Sequence, residues 1–161
     1  MAELTLTSSA FTNNDYIPVK NTCEGDDQNP PLTIDNVPDG AKSMVLIVDD
    51  PDAPGGTWVH WVVWNIAPRT RDIGEGVIPP EASEGVNSFK RHAYGGPCPP
   101  SGTHRYFFKL YALDTALNLG ANSAKQDVEK AMKGHIISQT QLMGLYQRTG
   151  PQRGYDTRRV L

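Results

Sequence analysis

The sequence predicts a mainly β protein, an antiparallel two-sheet sandwich with one or two short helices on its periphery. Three observations carry that expectation. Apolar runs of strand length dominate the chain, 15 Gly and 13 Pro among 161 residues interrupt it with turns, and helical periodicity is confined to one late segment.

Leu4-Thr5-Leu6-Thr7 alternates apolar side chains with Thr and reads as a first strand. Met44 to Val48 is a continuous apolar run, the pattern of a strand covered on both faces. Trp58 to Ile66 reads as a central strand. A two-residue period puts Trp58, His60, Val62 and Trp64 on one face and Val59, Trp61, Val63 and Asn65 on the other. His104 to Leu113 is a long, aromatic-rich strand. Ser123 with Gln126 three residues on has the form of a capping box. Val128, Ala131 and Met132 then recur at helical spacing until Gly134. Gln141 to Gln147 fits either helix or strand and is assigned as an edge strand. Long irregular stretches, Asn13 to Leu32, Asp50 to Thr57, Ala67 to Phe89 and Tyr94 to Thr103, hold most of the prolines, and loops of that length in a compact domain are commonly functional.

Composition narrows the function. With 38% hydrophobic and 20% charged residues and a net charge of -3, the chain lacks the basic footprint that nucleic acid requires. Its apolar runs are too short to span a bilayer as a helix, and Met1-Ala2-Glu3 does not begin a signal peptide, so the expected location is the cytoplasm. In that compartment Cys23 and Cys98 are expected to be reduced thiols, and their spacing matches no zinc pattern.

One set of residues carries chemistry. Asp50 and Asp52 flank Pro51 directly after the buried strand, in a turn stiffened by Pro51 and Pro54. His60 sits in the strand with three tryptophans, where its ring nitrogens need partners. His104 and Tyr106 leave one face of their strand, just after the loop Gly95-Gly96-Pro97-Cys98-Pro99-Pro100-Ser101-Gly102. Two Asp and two His are acceptable metal ligands, but no HxH, HxxxH or HExxH spacing occurs. An acid–base or nucleophilic enzyme would lack its nucleophile, since no serine lies in an elbow motif and Cys98 has no helix N-terminus beside it. The favoured reading is an anion pocket in which His, Tyr and backbone N–H groups donate to a phosphate while the carboxylates orient the histidines.

Asp50-Pro-Asp-Ala-Pro with Trp58-Val-His-Trp-Val-Val-Trp-Asn, and Gly95-Gly-Pro-Cys-Pro-Pro-Ser-Gly-Thr-His-Arg-Tyr, resemble the two signature regions of the phosphatidylethanolamine-binding proteins. Cys23-Glu-Gly and Pro30-Pro31-Leu32 resemble the shorter bacterial and archaeal, Raf kinase inhibitor-like branch of that family. The resemblance covers about residues 4 to 148 and implies a large antiparallel sheet packed on a smaller one. It further implies a pocket for phosphate, phosphorylated small molecules or phosphorylated head groups, formed by Asp50, Asp52, His60, Gly96, Pro97, His104 and Tyr106, with the Gly96 N–H facing the anion. The function the resemblance implies is a non-enzymatic binding module that needs no cofactor and no metal and acts as an inhibitor of a kinase or protease; bacterial relatives are often dimers, which makes a homodimer an expectation from the family alone. The alternative is a small hydrolase with His60 or His104 as general base. Residues 149–161, beyond the resemblance, form a basic, Gly-containing tail expected to be loose.

Overall fold

The computed structural model describes residues 2–148; the expectation for the tail lies outside them. Nine strands run in chain order: β1 (Thr5–Thr7), β2 (Asp15–Tyr16), β3 (Leu32–Asp35), β4 (Ser43–Asp50), β5 (Trp58–Ile66), β6 (Asp72–Ile73), β7 (Ser83–Glu84), β8 (His104–Leu113) and β9 (Ile136–Tyr146). One helix, α1 (Lys125–Met132), and a single 3-10 turn at Val19–Asn21 complete the elements. The strands form a small sheet, β1-β3-β6, and a large one, β2-β9-β8-β4-β5-β7, antiparallel except where β2 runs parallel to β9.

The main core lies between the sheets. Leu6, Leu32, Ile34 and Ile73 of the small sheet meet Met44, Leu46, Val48, Trp61, Val63, Phe108 and Leu110 of the large one. On the other face of the large sheet, Val45, Ile47, Val62, Trp64 and Leu113 are covered by Leu117 and by Val128 and Met132 of α1. Both faces of β4 are therefore buried along its whole length, which is why its sequence is an unbroken apolar run until the two aspartates.

Three expectations need correction. β5 is not central: β4 flanks it on one side, but β7 pairs with it only at Val63 and Trp64. Loop backbone closes the rest of that edge, with Gly85 N–H donating to Val62 O, Ser88 N–H to Val59 O and Gly95 N–H to His60 O. Helix α1 is capped by Ala124 rather than Ser123. The Asp127 carboxylate accepts from the Ala124 N–H at 2.9 Å, half of the capping box and one residue later than the sequence suggested, while the Ser123 N–H turns back to Gly120 O. The strand placed at Gln141 to Gln147 begins at Ile136 and pairs with β8 over its whole length; β2 adds a parallel pairing only at Gly144 and Leu145.

The two thiols are also not free: Cys23 and Cys98 form a disulfide. Compartment was the sole basis for expecting reduced cysteines. The fold lays the loop after the 3-10 turn against the Pro-rich loop before β8, with the Cys23 N–H donating to Pro97 O, and brings the two Cα atoms to 5.5 Å. Among the described residues no helix is long and apolar enough to cross a membrane.

Candidate functional site

The C-terminal ends of β4 and the N-terminal ends of β5 and β8 meet at one edge of the sandwich, where Asp50, Trp58, His60, His104 and Tyr106 line a cavity of about 30 Å³. Two side chains reach it through an irregularity in β5. Val48 pairs with Trp61 and Asp49 with Val59, so His60 is an extra residue with no partner on β4. Beyond this bulge the alternation is reversed. His60 and Trp58 face the cavity, on the side of the sheet where Trp61 joins the main core, rather than sharing a face with Val62 and Trp64 as the strict two-residue period predicts.

Asp50 is buried, at 3% exposure, and holds His104 with Oδ2 to Nδ1 at 2.6 Å. Because the carboxylate accepts, the proton is on Nδ1, and Nε2 of His104 is left toward the cavity. The other oxygen of Asp50 accepts the Asp52 N–H at 2.7 Å, which locks the proline-containing turn. Asp52 itself does not line the cavity. Its oxygens take Arg105 through Nε at 2.9 Å, Nη2 at 2.8 Å and the backbone N–H at 2.9 Å, and these bonds hold its carboxyl down to about 2. Asp50 thus orients a histidine, while Asp52 fastens its turn to β8.

His60 is 3% exposed, and its Nδ1 lies 2.6 Å from the carbonyl oxygen of Gly95. A carbonyl only accepts, so the proton sits on Nδ1, and Nε2 has no hydrogen-bond partner among the described residues. Burial pushes the His60 pKa below its ordinary value despite that bond and the nearby Asp50.

The glycines act on the protein's own packing. A Cβ on Gly95 would sit 2.5 Å from two ring carbons of Phe89, and one on Gly96 would sit 2.7 Å from the Asn21 carbonyl oxygen. Gly96 donates its N–H to Asp27 Oδ1 at 2.7 Å, and Pro97 offers its carbonyl to Cys23, so neither faces the cavity as the resemblance implied. Their place on the wall is taken by Cys98, Pro99 and Pro100.

Tyr106 and Trp58 complete the lining. Tyr106 is 1% exposed, and among the described residues neither its hydroxyl nor the Trp58 indole N–H meets a hydrogen-bond partner in good geometry, although the Asp50 carboxylate lies close enough to the phenol to act on it. Burial raises the Tyr106 pKa far above the ordinary phenol value, so the hydroxyl keeps its proton. Among the described residues no Lys or Arg lines the cavity. Among the described residues no group of three or more His, Cys, Asp and Glu is placed to share a metal ion.

This geometry coincides with a family match. The family model described as phosphatidylethanolamine-binding protein fits residues 7–147. The chain belongs to that family. A UPF0098 protein of Pyrococcus horikoshii is 52% identical over 150 residues, covering 88% of this chain and 75% of the relative. A UPF0098 protein of Methanothermobacter thermautotrophicus is 47% identical, covering 90% of this chain and 99% of the relative. Among solved structures, a phosphatidylethanolamine-binding protein homologue of Chlamydia trachomatis superposes with a TM-score of 0.89 at 41% identity, over 92% of this chain and all of that one. YbcL of E. coli, described as a new member of the mammalian family, gives 0.86 at 31% identity over the same shares. The two-sheet architecture is thus that of phosphatidylethanolamine-binding proteins.

Besides Ala53, Pro54, Cys98, Pro99 and Pro100, sequence reasoning missed two aromatic wall residues, Trp58 and Phe89. Trp58 was visible as the first residue of β5, but the bulge that aims it was not. Phe89 lies in a loop without periodicity. It is placed by Asn87, whose Oδ1 accepts the N–H groups of Phe89 and Arg91, each at 3.0 Å, and whose Nδ2 donates to Ala93 O at 2.7 Å and His60 O at 3.2 Å.

Proposed function

We propose that this family member is a non-enzymatic binding module whose cavity takes the phosphate head of a small molecule or of a phosphorylated side chain. The observation that carries this reading is the pair of buried donors with no hydrogen-bond partner among the described residues, Trp58 Nε1–H and Tyr106 O–H, in a cavity also lined by His60 and His104. Unpaired buried donors are costly, and an oxyanion would satisfy both. A volume of about 30 Å³ has room for one or two waters or a single small head group. The rest of any ligand must stay outside, against Pro54, Pro99, Pro100, Trp58 and Phe89. A phosphorylated group on a kinase or other protein surface fits this head-first arrangement, which is how inhibition of a kinase would operate.

The test is thermal protection of the intact protein by phosphate and phosphomonoesters. At a hundredfold excess over the dissociation constant the folded state gains about 2.7 kcal/mol, a visible shift in Tm. His104→Ala weakens that protection while the protein still folds. Absence of any shift across a wide concentration range excludes the reading.

A further inference from the structure

We propose that the outer edge of β9 is a self-association surface, on which two copies of this chain pair β9 with β9 antiparallel about a two-fold axis at Thr140. The pairing joins two large sheets into one. It lies apart from the cavity, since the residues of β9 opposite His104 and Tyr106 are Tyr146 and Gly144.

The edge is open where the axis falls. Beyond β9 the large sheet has only β2, which pairs with it at Gly144 and Leu145. The segment before β2 extends this cover by one residue, with Asn14 N–H donating to Met143 O and Met143 N–H to Asn13 Oδ1. Together with Ile17 N–H to Leu145 O, these bonds set the phase of the strand: odd-numbered residues turn their backbone outward, and even-numbered ones bond to β8. Gln139 and Gln141 keep that phase. Among the described residues no group is bonded to their outward N–H and C=O. There is room on both faces: a cleft of about 610 Å³ runs along Ser138, Gln139 and Thr140 beside Glu3, and another of about 370 Å³ along Gln139 and Gln141 beside Lys109.

The chemistry of the strand points to a second copy as the occupant. Natural edges are blunted by lysine, proline, inward charge or a covering loop. Loop backbone covers the margin beside β5, whereas Ile136–Tyr146 contains neither a charged residue nor a proline. Its irregularity, the extra residue Ile137, comes before the regular part of the strand. A two-fold axis sets each residue near its own counterpart, so a charged strand repels itself and a neutral one does not. With the axis at Thr140, Gln139 of each copy faces Gln141 of the other, and each pair exchanges both of its backbone hydrogen bonds. Thr140 then faces Thr140, a favourable cross-strand pair. Sliding toward the C-terminal end of β9 is blocked by Asn13 and Asn14, which already occupy that edge. So short an interface makes a weak, concentration-dependent dimer.

Sedimentation of the full chain from about 10 μM to 1 mM, the range in which small interfaces associate, is expected to show monomer giving way to dimer. Thr140→Lys and Thr140→Glu set like charges across the axis, and each should associate roughly tenfold or more weakly. An equimolar mixture of the two should dimerise again, because opposite charges then meet. Gln141→Pro is an independent disruptor, since it removes an outward N–H and no bond to β8. The melting temperature of dilute samples checks that each variant is folded. Hydrogen exchange reads the register: the Gln139 and Gln141 amides should slow several-fold as concentration rises, while those of Ser138 and Thr140, bonded to β8 in either state, stay constant. A chain that is monomeric at every concentration overturns the proposal and leaves the edge to a strand of another protein. A dimer that survives both charge variants, which puts the contact on another face, overturns it too, as does a mixture of the two that stays monomeric.

Discussion

Asp49 and Asp50 are neighbours on β4 that serve opposite faces of the large sheet. Asp50 points to the cavity and orients His104, whereas Asp49, 1% exposed, accepts from Lys109 Nζ of β8 at 3.1 Å and Lys125 Nζ of α1 at 2.7 Å. Strand alternation alone turns one carboxylate to the cavity and its neighbour to fastening the helix onto the sheet.

The two substitutions should therefore separate binding from stability. Asp49→Asn removes the charge that two lysines share and is expected to cost about 1–3 kcal/mol of stability with phosphate affinity unchanged. Asp50→Asn keeps most of the packing but loosens His104, and should weaken phosphate by roughly tenfold. Chemical denaturation and calorimetric titration of both variants check this; a weakened ligand in the Asp49 variant would show that the faces are coupled.

Stability should decline as pH falls below about 6.5. The folded chain holds the His60 pKa below its ordinary value of 6.5 by burial, so the unfolded chain takes up a proton that the folded one refuses. The stabilising contribution is complete above about 6.5 and is lost toward the folded-state pKa, by at most about 1.4 kcal/mol per pH unit. Urea midpoints at pH 7.5 and 5.5 measure it. If His60→Gln shows the same slope as the parent, another group is responsible.

Reducing the Cys23–Cys98 bond, which spans a sequence separation of 75, should destabilise the protein by about 2–4 kcal/mol. In a chain of this size that lowers Tm by roughly 2–4 °C per kcal/mol. Because Cys98 also lines the cavity, phosphate affinity should fall in the same sample. Calorimetry with and without reductant, beside Cys23→Ser, tests both effects. An unchanged Tm would mean that packing alone holds the two loops.

Asp52 and Arg105 make a geometrically strong but exposed pair, with side chains 29% and 50% accessible. The Asp52 carboxyl, lowered to about 2 from 3.8, contributes stability that is present above about pH 3.8 and lost as pH falls toward 2. Solvent screening limits that contribution to under about 1 kcal/mol. A double-mutant cycle with Asp52→Asn and Arg105→Gln measures it, and a coupling that is unchanged in 0.5 M salt would contradict the screening argument.

The elements with strong period were legible: β5 and β8 begin and end where the apolar pattern does, and the exposed-to-buried change along β9 follows its late apolar residues. Motif chemistry placed Asp50, His60, His104 and Tyr106 together at one cavity. What failed was what depends on contacts distant in sequence. A two-residue period has no means of marking the extra residue at His60, because a bulge is defined by the partner strand. Short strands such as β6 and β7 carry too few residues to show any period. The role of Gly96 was misread for the same reason: its close neighbours are Asp27 and Asn21 rather than a ligand.

The makeshift edge beside β5 gives the cavity wall a built-in gauge. The Val59 N–H is held by the Ser88 hydroxyl at 2.8 Å, and the N–H groups of Gly85, Ser88 and Gly95 are held by β5 from the loop side. None of these protons belongs to a continuous ladder, so each becomes exchangeable with solvent when the loop lifts, without any unfolding of the sheet. Deuterium uptake at these four amides therefore times the opening of the wall that carries Phe89. Amides at the middle of β4 and β8 report global unfolding in the same experiment.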